Sequence, residues 1–94
     1  MERIKVLLAD DVADIRALLR LAIERDERFE IVGEAGDGLE AIEQAEQLVP
    51  DLVVLDLAMP KMDGLQAIPE IRQHIGTAAR IVVLSGFESE RLGP

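Results

Sequence analysis

Apolar positions along this chain follow two rhythms. Four short runs are almost continuously apolar or β-branched: Ile4–Ala9, Glu30–Glu34, Leu52–Leu55 and Arg80–Leu84. Runs of this length predict strands, and three of them carry so few polar interruptions that burial on both faces is expected. Between the runs the spacing changes to three and four. Val12, Ile15, Leu18, Leu19, Ala22 and Ile23 make one apolar stripe, with Asp14, Arg16, Arg20 and Glu24 opposite. Leu39, Ile42, Ala45 and Val49 make a second, and Leu65, Ile68, Ile71 and Ile75 a third. Strands alternating with helices predict an α/β fold: βαβ units, a parallel sheet and right-handed crossovers.

The helix boundaries carry local signals. Asp37 and Glu40 stand as an N-cap and its third helical residue, a variant of the capping box. Asp63 is placed to cap the third helix, and Pro69 then falls about six residues in, where it deletes one hydrogen bond and crowds a carbonyl. The expectation is a kink or an irregular first turn; the alternative is a regular helix that starts at Pro69.

Three carboxylates stand where apolar runs end. Asp10 and Asp11 close IKVLLADD, and Asp56 closes LVVLD. One member of the first pair would ordinarily cap the helix starting near Val12. Asp56 changes that expectation, because parallel neighbouring strands bring all three to one end of a sheet. Open α/β sheets bind ligands outside the carboxyl ends of their strands. Clustered carboxylates repel, and a hard cation such as Mg²⁺ relieves them with oxygen ligands. An aspartate is also a competent nucleophile toward phosphorus, and phosphoryl transfer needs chiefly positioning and charge neutralisation. Ser85, after the fourth run, reads in isolation as a strand-ending turn residue; beside an acidic pocket it could donate a hydroxyl to a phosphate oxygen, with Gly86 leaving space next to it. Met59–Pro60 and Asp63–Gly64 mark a turn that shapes the rim of the acidic pocket. Lys61 within it reads as a surface loop lysine, and His74 as a cation at a helix C-terminus.

Composition narrows the classes. The chain has 94 residues, 49% of them apolar, enough for one small globular domain. Its net charge of −9 argues against direct nucleic-acid binding or an anionic membrane surface. It holds no cysteine, so disulfides and thiolate metal sites are excluded. No apolar run is long enough to span a bilayer and no secretory leader is evident, so a cytoplasmic location is expected.

Asp10–Asp11, Asp56 within LDLAMPKMDGL, and Ser85 after IVVL resemble, in order and spacing, the receiver domain of bacterial two-component response regulators. IVGEAGDGLEAIEQA and PDLVVLDLAMPKMDGLQAI look most like regulators that carry a helix-turn-helix output domain. The resemblance implies a flavodoxin-like parallel sheet with helices on both faces, in strand order 2-1-3-4-5. It also implies that a histidine kinase passes a phosphoryl group to Asp56. By the same analogy Asp11 and Asp56 bind Mg²⁺ directly, Ala58 lends its carbonyl, Asp10 acts through water, and Ser85 moves toward the phosphate.

The chain also departs from that pattern. Receivers carry a lysine at the end of a fifth strand, whereas the lysines here are Lys5 and Lys61. An aromatic residue on that strand has no counterpart either, nor do most of the fourth helix, the fifth strand and the last helix. Residues 1–94 thus read as a single incomplete receiver domain of about four strands. An incomplete sheet leaves an edge and an apolar face open, so a homodimer or a partner that completes the sheet is expected. Phosphoryl acceptance is expected to be impaired, with at most self-phosphorylation and dephosphorylation in place of turnover. The competing reading is a truncated or engineered βα scaffold without phosphoryl-transfer activity. A dehalogenase-like phosphatase is disfavoured, because Ala58 stands where its second carboxylate would be.

Overall fold

The computed structural model describes residues 2–84. Strands β1 (Ile4–Ala9), β2 (Phe29–Ala35), β3 (Leu52–Asp56) and β4 (Arg80–Leu84) alternate with helices α1 (Ala13–Glu24), α2 (Gly38–Leu48) and α3 (Gly64–Ile75). All pairings are parallel, in the order β2-β1-β3-β4. The first crossover runs from β1 to one side and the next strand returns to the other, so the sheet has its topological switch point between β1 and β3.

The two faces of the sheet are covered unequally. On one, Leu7, Ala9, Val53 and Leu55 pack with Ala41 and Ala45 of α2 and with Ala67, Ile71 and Ile75 of α3. On the other, Val6, Leu8 and Val54 meet Leu19 and Ile23 of α1, together with Phe29, Ile31 and Leu84. None of the residues of α1 is fully buried.

The expected helical stripes are shifted in two cases. α2 turns Gly38, Ala41 and Ala45 inward and α3 turns Gly64, Ala67, Ile71 and Ile75, whereas Leu39 and Leu65 are exposed. Small residues win the inner positions because the backbones approach closely. A Cβ on Gly38 would lie 1.9 Å from the carbonyl oxygen of Met62, and one on Gly64 would lie 2.6 Å from that of Asp56. Only glycine permits such contacts.

Helix starts follow the local signals in two of three cases. The Asp37 carboxylate accepts the Glu40 N–H at 2.8 Å, while the Glu40 side chain reaches Gly36 N–H at 2.6 Å, one residue beyond the expected partner. Asp63 and Gln66 form a full capping box, so α3 begins in an ordered turn at Gly64 and runs through Pro69 to Ile75. A helix starting at Pro69 does not form; the box satisfies first-turn donors and outweighs the single lost bond. α1 is the exception. Its N-cap is Val12, with no side-chain cap, and neither Asp10 nor Asp11 fills that position.

Pairing of β1 with β2 slips between Val6 and Leu7: Val6 opposes Ile31 and Leu7 opposes Gly33. Val32 is thus an extra residue, a bulge. Side chains alternate faces along a strand, so one extra residue exchanges the faces of everything after it. Ile31 points toward α1, and so does Glu34, while Ala35 joins the α2–α3 core.

Candidate functional site

Asp10 follows the last residue of β1, and Asp56 is the last residue of β3. Both are buried, 3% and 9% exposed, and Asp11 is exposed beside them. One carboxylate oxygen from each of the three lies within 4.8 Å of the others. The expected cluster therefore forms, at the switch point of the sheet. At that separation two full charges repel by about 1 kcal/mol in bulk water and about 4 near a protein surface.

Backbone donors offset part of that repulsion. Asp10 Oδ1 accepts the Val12 N–H at 2.9 Å, and Asp56 Oδ1 accepts the Ala58 N–H at 3.1 Å. The uncapped N-terminus of α1 follows directly, and its free N–H groups favour nearby negative charge. Asp10 is anchored in turn to β2, its N–H donating to the Ala35 carbonyl at 3.0 Å.

The segment after Asp56 is held at several points. Leu57 N–H donates to the Leu84 carbonyl at 3.2 Å, and Gly64 N–H donates to the Leu57 carbonyl at 3.0 Å. Met59 is buried, and Met62 lies against Gly38 at the start of α2. Lys61 has a left-handed backbone (φ 66) and places Nζ 3.5 Å from Asp37. That neighbour helps to hold the Asp37 carboxyl below its ordinary range, after the larger effect of the Glu40 N–H bond. Lys61 is a loop lysine, as expected. Ala58 is half-buried next to Asp56, whereas Ser85 and Gly86 lie outside the described residues.

One group escaped the sequence reading. Arg16 and Arg20, expected on the solvent side of α1, instead grip Glu34 on β2. Arg16 Nε lies 2.9 Å from Glu34 Oε1, and Arg20 Nη2 lies 2.7 Å from Oε2. The Arg20 hydrogen bond is the main cause that holds the Glu34 carboxyl below its ordinary range, with Arg16 adding to it. A second Arg16 nitrogen, Nη1, donates to the backbone carbonyl of Asp10. The usable signal was a glutamate inside an apolar run, facing two arginines four residues apart.

A parallel sheet of this order, with helices on both faces and a ligand edge at its switch point, defines the flavodoxin-like class of α/β domains. Residues 6–93 match the response regulator receiver domain, and the chain belongs to that family. It is 49% identical over 88 residues to the transcriptional regulatory protein PdtaR of Mycobacterium tuberculosis, covering 94% of this chain and 42% of that protein. It is 39% identical over 100 aligned residues to protein-glutamate methylesterase/protein-glutamine glutaminase 2 of Carboxydothermus hydrogenoformans, covering 99% of this chain and 28% of the relative. Among solved structures, the response regulator domain of Thermotoga maritima CheB superposes with a TM-score of 0.82 at 36% identity, over 89% of this chain and 61% of that one. The chain thus spans less than half the length of either curated relative. The four-stranded flavodoxin-like sheet is the expected one, in the expected order. Among the described residues no helix is long and apolar enough to cross a membrane.

Proposed function

We propose that residues 1–94 form one receiver unit of a two-component phosphorelay, in which Asp56 takes a phosphoryl group from a histidine kinase. The observation that carries this reading is the carboxylate cluster, with Asp10, Asp11 and Asp56 oxygens within 4.8 Å at the switch point. In the transfer, an Asp56 carboxylate oxygen forms the new O–P bond as the P–N bond to the kinase imidazole breaks. The imidazole leaves with that electron pair and takes up a proton. Buried Asp56 is held in place by the Ala58 N–H on its Oδ1, which fixes the carboxylate for the approach of the phosphoryl group.

The donor set suits Mg²⁺: three carboxylates of hard oxygen, without thiolate or imidazole among the described residues of the cluster. Asp11 and Asp56 would hold the ion directly, with the Ala58 carbonyl, and Asp10 through water. When bound, Mg²⁺ would neutralise charge on the phosphoryl oxygens. Ser85 would donate its hydroxyl to one of those oxygens. The working compartment of such a phosphorelay is the cytoplasm.

The second reading, a βα scaffold or interaction module without phosphoryl transfer, draws on one observation: among the described residues Ile15, Leu18, Leu19, Ala22 and Leu84 line an open apolar groove of about 390 Å³ beside β4, the last strand described. Pairing there with a second copy, or with a partner that completes the sheet, would cover it.

Intact mass after incubation with Mg²⁺ and a small acyl phosphate separates the readings. One added phosphoryl group, absent from Asp56→Asn, is the expected result. No addition on folded protein replaces the phosphoacceptor reading with the scaffold. Light scattering on the same sample at high concentration reads association, and a monomer there removes the pairing.

A further inference from the structure

We propose that Arg16 is a positioning residue for the Asp10–Asp11 pair, setting the direction in which Asp11 presents its carboxylate to Mg²⁺. The inference rests on the metal reading above and deepens it. β1 ends at Ala9, so the peptide unit joining Asp10 to Asp11 lies beyond the regular strand. Its carbonyl oxygen is the atom that accepts from Arg16 Nη1.

The guanidinium is itself held. Its Nε donates to Glu34 Oε1 at 2.9 Å, and the second oxygen of Glu34 takes two bonds from Arg20, at 2.9 and 2.7 Å. Glu34 therefore cannot follow Arg16 if Arg16 moves. A guanidinium is planar, so fixing Nε on Glu34 also fixes where Nη1 points. Glu34 adjoins Ala35, whose carbonyl accepts the Asp10 N–H. A closed ring results: β2 holds Asp10 through Ala35, and holds the next peptide through Glu34 and Arg16. Asp10 Oδ1, bonded to the Val12 N–H, fixes the far side of the turn. Asp11 is exposed, and its direction is governed by this backbone rather than by burial.

Charge and position predict opposite signs. Arg16 is a cation near an acidic cluster, so on charge alone its removal would tighten Mg²⁺ binding. On positioning its removal weakens binding, because the Asp11 peptide is released. Arg20 supplies the control: it shares Glu34 but does not touch the Asp10 carbonyl.

Calorimetric titration of the full chain with Mg²⁺ alone, on variants shown to be folded by thermal unfolding, tests this. Arg16→Ala is expected to weaken Mg²⁺ binding about tenfold, the usual scale for losing a group that orients a metal ligand. Arg16→Lys keeps the charge without the planar fork and is expected to weaken it comparably. Arg20→Ala keeps the Arg16 bonds to Glu34 and to the Asp10 carbonyl, and is expected to lower the melting temperature while weakening Mg²⁺ binding clearly less than Arg16→Ala does. Equal or tighter binding by Arg16→Ala overturns the inference and leaves the metal reading standing. Equal weakening by both alanine variants also overturns it, in favour of general docking of α1. If the unsubstituted protein takes up no Mg²⁺, the metal reading fails and the inference falls with it.

Discussion

α1 and α3 carry apolar stripes of similar spacing, yet the sheet treats them differently. α3 buries Gly64, Ala67, Ile71 and Ile75 in a core shared with α2, whereas α1 buries nothing completely and leaves Leu18 and Leu21 about two-thirds exposed, at 63% and 65%. Amphipathicity marks which face of a helix is able to pack. What stands opposite decides whether it does. α2 and α3 lie side by side over a shared core, with Ala41, Ala45 and Ala67 turned inward, Gly38 against Met62 and Gly64 against Asp56. α1 stands alone among the described helices on its face, and beside Leu19 and Ile23 it is tied down by an ion network. Packing dominates one side of the sheet, and electrostatics and hydrogen bonds take a larger share on the other.

Paired substitutions measure that contrast most directly. Ile71→Ala, in the fully buried core, should cost about 3 to 4 kcal/mol in denaturant unfolding, by loss of transfer energy and creation of a cavity. Leu18→Ala should cost less than about 0.5 kcal/mol, as exposed substitutions do. Similar losses for the two would break the comparison and show that the groove beside α1 is filled in solution.

The ion network gives the next effect. Glu34→Ala leaves two arginines side by side and should cost about 1 to 2 kcal/mol, limited by partial exposure of the pair. Its pH dependence has a definite sign. The folded carboxyl is held below its ordinary value of 4.5. The stabilisation is therefore complete above 4.5 and is lost as pH falls below it through the depressed folded value. Asp26, held at about 2 chiefly by the Arg28 side chain, also titrates in acid. It is present in both proteins, so the difference between wild type and Glu34→Gln isolates the network. A stability gap that persists unchanged to strongly acid pH would assign the effect to packing instead.

A stabilising change is available on the well-packed side. Val49 ends α2 in a left-handed conformation, φ 43, which a β-branched residue adopts at a cost. The following Pro50 is fully buried and leads into β3, so the tertiary structure imposes this turn. Val49→Gly should stabilise by about 0.5 to 1 kcal/mol, the relief of strain exceeding the entropy cost of glycine. A destabilisation would show that the half-exposed valine side chain contributes more by packing than its backbone costs.

Much of the site was legible because its signals are local. Strand ends followed from where apolar runs met Asp10 and Asp56, and helix starts from Asp37 and Asp63. Asp10, Asp11 and Asp56 converge because parallel strands either side of a switch point end on the same edge. The stripes of α2 and α3 held at Ala45, Ile71 and Ile75, with Ile42 and Ile68 packed beside them, and failed at Leu39 and Leu65, where large residues were weighted over small ones. Leu39 and Leu65 carry more apolar surface than Ala41 and Ala67, but close helix–sheet contact selects the smaller side chains.

The order of elements, their boundaries to within a residue or two, and the standing of Asp10, Asp11 and Asp56 at strand ends were all readable along the chain. Those follow from chain periodicity and from short-range hydrogen bonds, which act between residues a few positions apart. Assembly of the sheet brought the three carboxylates to one edge, made Val32 bulge, turned Glu34 toward α1, and let Arg16 span 18 residues to meet it while holding the Asp10 carbonyl. Register between strands is a property of two segments together. A slip of one residue exchanges the faces of a strand without altering any local pattern, so it becomes visible only when the sheet is assembled.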